Sequence, residues 1–380
     1  MTTFFHYGDS ISSPEMLHEV GETVMDPMLF VDHDGRRIIC CGPFEISTFE
    51  TREDLVDELV NYVDLGAEEL TKDQSFPQEL IGPELALRAL RRFNLNSVSV
   101  PGRFPVMVAD HLRANGIDVT VDPKTWAMRR RRKTAWEIEG IERAQRAADT
   151  AMLTAARMLR EAELTRDGGL RFQGETLTAE LIREAMIAEL LAQGTESDLI
   201  LVQSGDACLT GHDPGSGPIL ADKSLVIDCF PRDRRTRAFT DMTRTFVPGQ
   251  ASEELRNLHG HVRKALDVAF DAIKPGAADV HQRVEEYFHS QGFPTQSHHE
   301  GGGILEEGFM HGLGHGVGLE VHERPTLGRR AEPLIEGDVV AVEPGLYFPV
   351  IGGVRLEDTV VVTDSGVEHF TDPLPYDLEP

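Results

Sequence analysis

Apolar and polar positions alternate in short blocks along the first third of the chain. Apolar runs over 28–32 and Arg36–Cys41, flanking the turn His33-Asp34-Gly35, predict two strands. Helical spacing predicts helices over 52–63, 83–93 and 106–115. Strands are expected over Ser97–Val100 and Asp118–Val121. This is an α/β pattern without a chemical motif. Beyond it, Ile138, Ile141, Ala144, Ala148, Met152 and Ala155 recur at helical spacing and predict one long helix over 135–163. A second helix is expected over 178–193. A third starts after Ser252, an N-cap residue followed by Glu253 and Glu254, whose charges suit a helix N-terminus. Its apolar stripe is Leu255, Leu258, Val262, Leu266 and Ala269. Strands are expected over 198–204, 224–230, 238–246, 338–348 and 354–363. The basic run 129–133 reads as a solvated linker, because charge runs are usually solvated. It places a domain boundary near Lys133, giving an N-terminal domain of residues 1–132 and a C-terminal domain of residues 133–380.

Composition narrows the function. With 64 acidic and 37 basic residues the net charge is -27, which repels phosphate backbones and anionic lipid and counts against nucleic-acid and membrane partners. The basic residues are 6 Lys and 31 Arg. A high-salt cytosol and a biased genome explain this equally well, and neither bears on the chemistry. Cys40, Cys41, Cys208 and Cys229 form no C-x-x-C pair, so neither a disulfide framework nor a zinc knuckle is expected. The first ten residues lack a basic stretch followed by an apolar one. No apolar run approaches the ~18 residues that span a bilayer. A cytoplasmic protein is the expectation.

Four acids lie in strand-like apolar surroundings: Asp228 in LVIDCF, Asp241 in FTDMTRTF, Glu343 in VVAVEPG and Glu357 in GVRLEDTVVV. A buried carboxylate without compensation costs several kcal/mol or becomes neutral. The acids fall into two similar pairs, Asp228 and Asp241 being 13 positions apart and Glu343 and Glu357 14 apart, as in a duplicated hairpin. Such acids repel one another unless a cation sits among them. Structural salt bridges to arginine are the alternative. The segment MHGLGHGVGLEVHERP adds His311, His315 and His322. Its glycines oppose a helix and suit an extended strand passing close to another group. Carboxylates with imidazole suit manganese, iron, cobalt or zinc. His212, in a Gly/Pro-rich loop, His298 and His299 read as ordinary loop residues when taken alone.

The order Asp, Asp, His, Glu, Glu, with DMTRTF, HGLGHGVGLEVHE, VEPGLY and GVRLEDT around them, resembles the pita-bread metallopeptidases, which include prolidase, aminopeptidase P and methionine aminopeptidase. The resemblance runs from about Lys133 to the C-terminus. The first third more loosely resembles the creatinase-type N-terminal domain. The fold class implied is an α/β N-terminal domain plus an α+β pita-bread (creatinase/aminopeptidase) C-terminal catalytic domain.

The resemblance implies a peptidase that hydrolyses Xaa-Pro bonds at the N-terminus of peptides or in dipeptides through a metal-bridging hydroxide. It implies two divalent ions, manganese first, with cobalt, zinc or iron as alternatives. Asp228, Asp241, His315, Glu343 and Glu357 would be the ligands, Asp228 holding one ion through both oxygens and Asp241 and Glu357 bridging. His212 and His322 would contact the scissile carbonyl, Glu343 would accept the proton of the attacking water, Arg355 would orient these groups, and His311 would stand behind them. A homodimer is implied by the family alone. The spacing of 13 is two more than the family's usual, the extra residues falling in PRDRRTR as a longer polar turn. Cys229-Phe230 stands where a Gly is common after the first Asp. Two other readings are a hydrolase of small amides or amidines, like creatinase or ectoine hydrolase, and a non-catalytic pita-bread binding module. The complete ligand set favours the metallopeptidase over both.

Overall fold

The computed structural model describes residues 2–52, 55–300 and 303–380. The chain divides into two compact units, Met1–Arg130 and Arg131–Pro380. In the first, six strands form one sheet in the order Glu58–Asn61, Arg36–Cys41, Met28–His33, Thr3–Gly8, Ser97–Val100, Asp118–Val121. Alternation along its strands fills two cores: Leu29 and Val31 enter one with Leu87, Leu90 and Leu112, while Met28 and Phe30 enter the other with Met16 and Trp126. A sheet covered on both faces accounts for the continuous apolar runs.

One helix expected in this unit is replaced. Positions 53 and 54 of the 52–63 segment lie outside the described residues, and Glu58–Asn61 is a parallel edge strand against Arg36–Cys41. Short apolar runs fit either period, and pairing with the sheet decides.

The basic run is not a solvated linker. It contains the last turn of the helix Pro123–Arg131. Arg129 forms a fork to Glu19 and reaches Asp32 at 2.9 Å. Arg131, 2% exposed, donates from Nε to Asp338 at 2.9 Å, and Lys133 pairs with Glu323. Acids at distant positions draw these cations inward, which a charge count cannot foresee.

In the second unit two sheets each carry a helix pair. The helix Ala135–Glu161 opens with a capping box between Thr134 and Glu137 and packs with Ala179–Ala192 on the sheet Ile200–Ser204, Leu225–Cys229, Met242–Phe246. Glu253–Ala272, capped by Ser252, packs with Val280–Ser290 on a five-stranded sheet ordered Glu323–Leu327, Gly314–Gly316, Val339–Val342, Asp358–Val362, Val367–His369. Each fully buried Leu or Val in these stripes contributes roughly 1.5–3 kcal/mol.

Strand parity aims the site. Leu225, Ile227 and Cys229 enter the helix-packed core, so Asp228, on the alternate parity, faces the opposite side of its sheet. Three of the four acids expected within strands lie just outside them. The strand expected from 338 breaks after Val342, where Pro344 lacks the N–H a ladder needs. Asp241 precedes Met242–Phe246, and Glu357 separates Gly352–Arg355 from Asp358–Val362.

A candidate metal centre

The eight residues expected to bind metal, contact substrate or orient these groups line one cavity of about 710 Å³ in the second unit: Asp228, Asp241, Glu343 and Glu357, with His212, His315, His322 and Arg355. At its foot Asp241, His315 and Glu357 bring ligand atoms within 4.8 Å of one another. Backbone tying, not ladder pairing, sets the two acids. The N–H of Asp241 donates to Thr359 Oγ1 at 3.0 Å, and that hydroxyl donates back to the Asp241 carbonyl at 2.9 Å. Thr243 and Glu357 form an isolated antiparallel bridge between the two sheets.

His315 sits on the strand Gly314–Gly316, as the glycine pattern predicts. Adding a Cβ at Gly314 would bring it to 2.0 Å from the Ala341 carbonyl oxygen, so that position admits no side chain. His315 Nδ1 donates to the Gly316 carbonyl at 3.1 Å, which leaves the Nε2 lone pair facing Asp241 Oδ2 at 3.7 Å and Glu343 Oε1 at 3.9 Å. Burial, and then neighbouring His322, lower the His315 pKa to about 4, so the ring is neutral near pH 7.

Asp228 and Glu343 stand outside this closest group of three. Asp228 Oδ2 accepts from Arg355 Nη2 at 2.5 Å, and Glu343 Oε2 lies 4.0 Å from Arg355 Nε. Burial first, then the adjacent carboxylates, holds Asp241 and Glu357 well above the usual carboxylate range. Burial raises Glu343 to about 7 against the opposing pull of Arg355.

The donor set fits divalent ions. Asp228 Oδ1 and Asp241 Oδ1 are buried and make no hydrogen bond, a costly arrangement for carboxylates unless a cation completes it. Carboxylate oxygens with one bare imidazole nitrogen are the donors that manganese, cobalt, zinc or iron accept.

His212 and His322 are exposed at the rim, and the His322 ring lies 4.2 Å from that of His315 in an edge-on arrangement. His311 also lines the cavity. Its Nδ1 donates to the Gly312 carbonyl at 2.7 Å, and its Nε2 accepts from Tyr347 at 2.9 Å. Tyr347 in turn accepts from Arg355 Nη1 at 3.4 Å. Neither Tyr347 nor Thr243 stands out in the sequence as a site residue. Their proximity to Arg355 and Glu357 arises only when the strands pair. His298 and His299 lie outside the cavity lining.

The long turn after Asp228 is structured. Arg232–Asp233 pairs with Thr195–Glu196, and Asp233 accepts a fork from Arg143 at 3.0 Å on each side. Phe230, the second residue after Asp228, lines the cavity.

Residues 139–364 match the model of metallopeptidase family M24. The Xaa-Pro dipeptidase of Pyrococcus furiosus is 32% identical over 243 residues, which is 63% of this chain and 62% of that protein. An uncharacterized peptidase of Bacillus subtilis is 32% identical over 185 residues, 47% of this chain and 49% of that one. The chain thus spans less than two thirds of the length of these curated relatives. Among solved structures, an Xaa-Pro dipeptidase from Bacillus anthracis superposes with a TM-score of 0.77 at 20% identity, covering 99% of this chain and 94% of that one. An X-Pro aminopeptidase from Thermotoga maritima gives 0.77 at 20% identity, covering 100% and 97%. The fold is therefore the expected one, an α/β N-terminal domain plus an α+β pita-bread C-terminal domain.

Proposed function

Because this chain belongs to metallopeptidase family M24, we propose that it hydrolyses Xaa-Pro bonds at the N-terminus of peptides or in dipeptides, using two divalent ions held by Asp228, Asp241, His315, Glu343 and Glu357. The observation that carries this reading is the meeting of Asp241, His315 and Glu357 at the foot of a cavity where two buried carboxylate oxygens have no partner. The likeness to an Xaa-Pro dipeptidase supports the substrate class. Manganese is the proposed ion, in a homodimeric, cytoplasmic enzyme.

When bound, the ions supply Lewis acidity and a water of lowered pKa, which provides hydroxide near pH 7. Glu343, which lines the cavity beside Arg355, would accept a proton from the attacking water as its oxygen adds to the scissile carbonyl carbon. His212 and His322 at the rim hydrogen-bond the carbonyl oxygen as it takes on charge. The C–N bond then breaks, and Glu343 returns the proton to the proline nitrogen. Arg355 holds Asp228 directly and stands beside Glu343, keeping both carboxylates in place.

The test is hydrolysis of Gly-Pro, Ala-Pro and Ala-Pro-Ala with manganese and with a chelator. Manganese-dependent release of the N-terminal residue from any of them is expected. Full activity in the chelator, or cleavage of none, would overturn the reading.

A further inference from the structure

The fold is shared equally by a dipeptidase and an aminopeptidase structure, so the choice between those substrates rests on the cavity itself. The two differ at one point. A free dipeptide carries a carboxylate on the proline that leaves, whereas a longer peptide continues there as a neutral amide. A carboxylate brought into a partly dry cavity needs a cation or several donors to replace its water.

The lining is poor in such partners. Among the described residues its one arginine or lysine is Arg355, which is 5% exposed. All three of its nitrogens already face partners: Nη2 donates to Asp228 at 2.5 Å, Nη1 to Tyr347 at 3.4 Å, and Nε to Thr243 at 3.3 Å. Four carboxylates share the same lining.

Of the other polar groups, Tyr347 and His311 hold each other at 2.9 Å, His315 is a proposed metal ligand, and His212 and His322 are the groups proposed to take the scissile carbonyl; much of the remaining wall is apolar, and strand register explains part of it. Leu201 sits directly opposite Asp228 in the antiparallel pair, so the two side chains share a face. Leu199 and Phe230, two positions away and just beyond the ends of the two strands, line the same cavity, and Leu209, Met310 and Val321 extend it. This surface offers an uncharged substrate contact area and offers a carboxylate nothing.

We infer that the leaving side of this site takes a neutral continuation of the chain, so the substrate is a peptide of three or more residues and not a free dipeptide. The inference rests on the Xaa-Pro hydrolase reading above. It is tested on the manganese-loaded full chain with three compounds that share the same scissile bond: Ala-Pro, Ala-Pro-amide and Ala-Pro-Ala. The amide differs from the dipeptide only in lacking the charge. Ala-Pro-amide and Ala-Pro-Ala are expected to show kcat/KM at least tenfold above Ala-Pro, mainly through KM, because the lost interaction is one of binding. A kcat/KM for Ala-Pro equal to or above that of its amide would overturn this inference while leaving the Xaa-Pro reading intact. Cleavage of none of the three would overturn both.

Discussion

Thr243 and Glu357 hold each other twice. Their backbones exchange hydrogen bonds of 3.4 and 3.0 Å, and Thr243 Oγ1 donates to Glu357 Oε2 at 2.7 Å. One residue adjoins each sheet, so this pair joins the two halves of the second unit at the carboxylate cluster.

Thr243→Val should therefore weaken manganese binding with little loss of fold. The side chain that orients Glu357, and that accepts from Arg355 at 3.3 Å, would be gone. Loss of a group that orients a metal ligand, the role proposed for Glu357, typically costs 10–100-fold in affinity. Titration calorimetry on metal-free protein measures it. A Kd within threefold of wild type would contradict this role, and Thr243→Ser should keep it.

Glu343→Gln removes the group proposed to carry the proton. The side chain keeps its size but cannot accept a proton, so kcat should fall by about 10²–10⁴ while KM changes little. Steady-state kinetics on an Xaa-Pro peptide decides, and wild-type kcat in the variant would refute the assignment.

Acid stability should report on Glu285. It is buried beside His281 at 3.4 Å and accepts from the Ser297 backbone N–H at 3.2 Å and from the Ser297 hydroxyl. Burial alone would raise its pKa, but these bonds overcome that and hold it at about 2, below the ordinary 4.5. Its folded pKa is depressed, so the stability it contributes is present above about pH 4.5 and lost as pH falls toward 2. Glu285→Gln should lower stability at pH 7 and flatten the decline between pH 4.5 and 2. Urea unfolding across that range tests this, and parallel wild-type and variant curves would count against it.

Gly140, within the helix Ala135–Glu161, has no room for a side chain. An added Cβ would fall 1.8 Å from Thr236 Oγ1 in the long turn after Asp228. Gly140→Ala gains helix propensity but forces this contact apart, and should destabilise by about 1–3 kcal/mol. Thr236→Ala in the same chain should recover part of the loss. An unchanged melting temperature in Gly140→Ala would show that the turn yields freely.

Much of this molecule is legible in its residues because local pattern and chemistry are carried by neighbours in sequence. The long helix after Thr134, the Ser252 cap and the strand around Asp228 follow from spacing and capping groups. Four of the five candidate ligands follow from carboxylates placed where burial would penalise them, and His315 follows from the histidines of the glycine-rich segment. Legibility stops where a property depends on which strands meet. The expected helix at 52–63 contains an edge strand because a neighbouring strand accepts its backbone hydrogen bonds. The basic run turns inward because Glu19, Asp32, Asp338 and Glu323 lie beside it in space. Tyr347 reaches Arg355, Leu201 faces Asp228, and Thr243 grips Glu357 only after pairing. The period of two tells each side chain which face to take, but nothing local tells a strand its partner. Pairing is decided by the burial of the whole core, and so the sequence named the candidate ligands while the tertiary structure assembled the site around them.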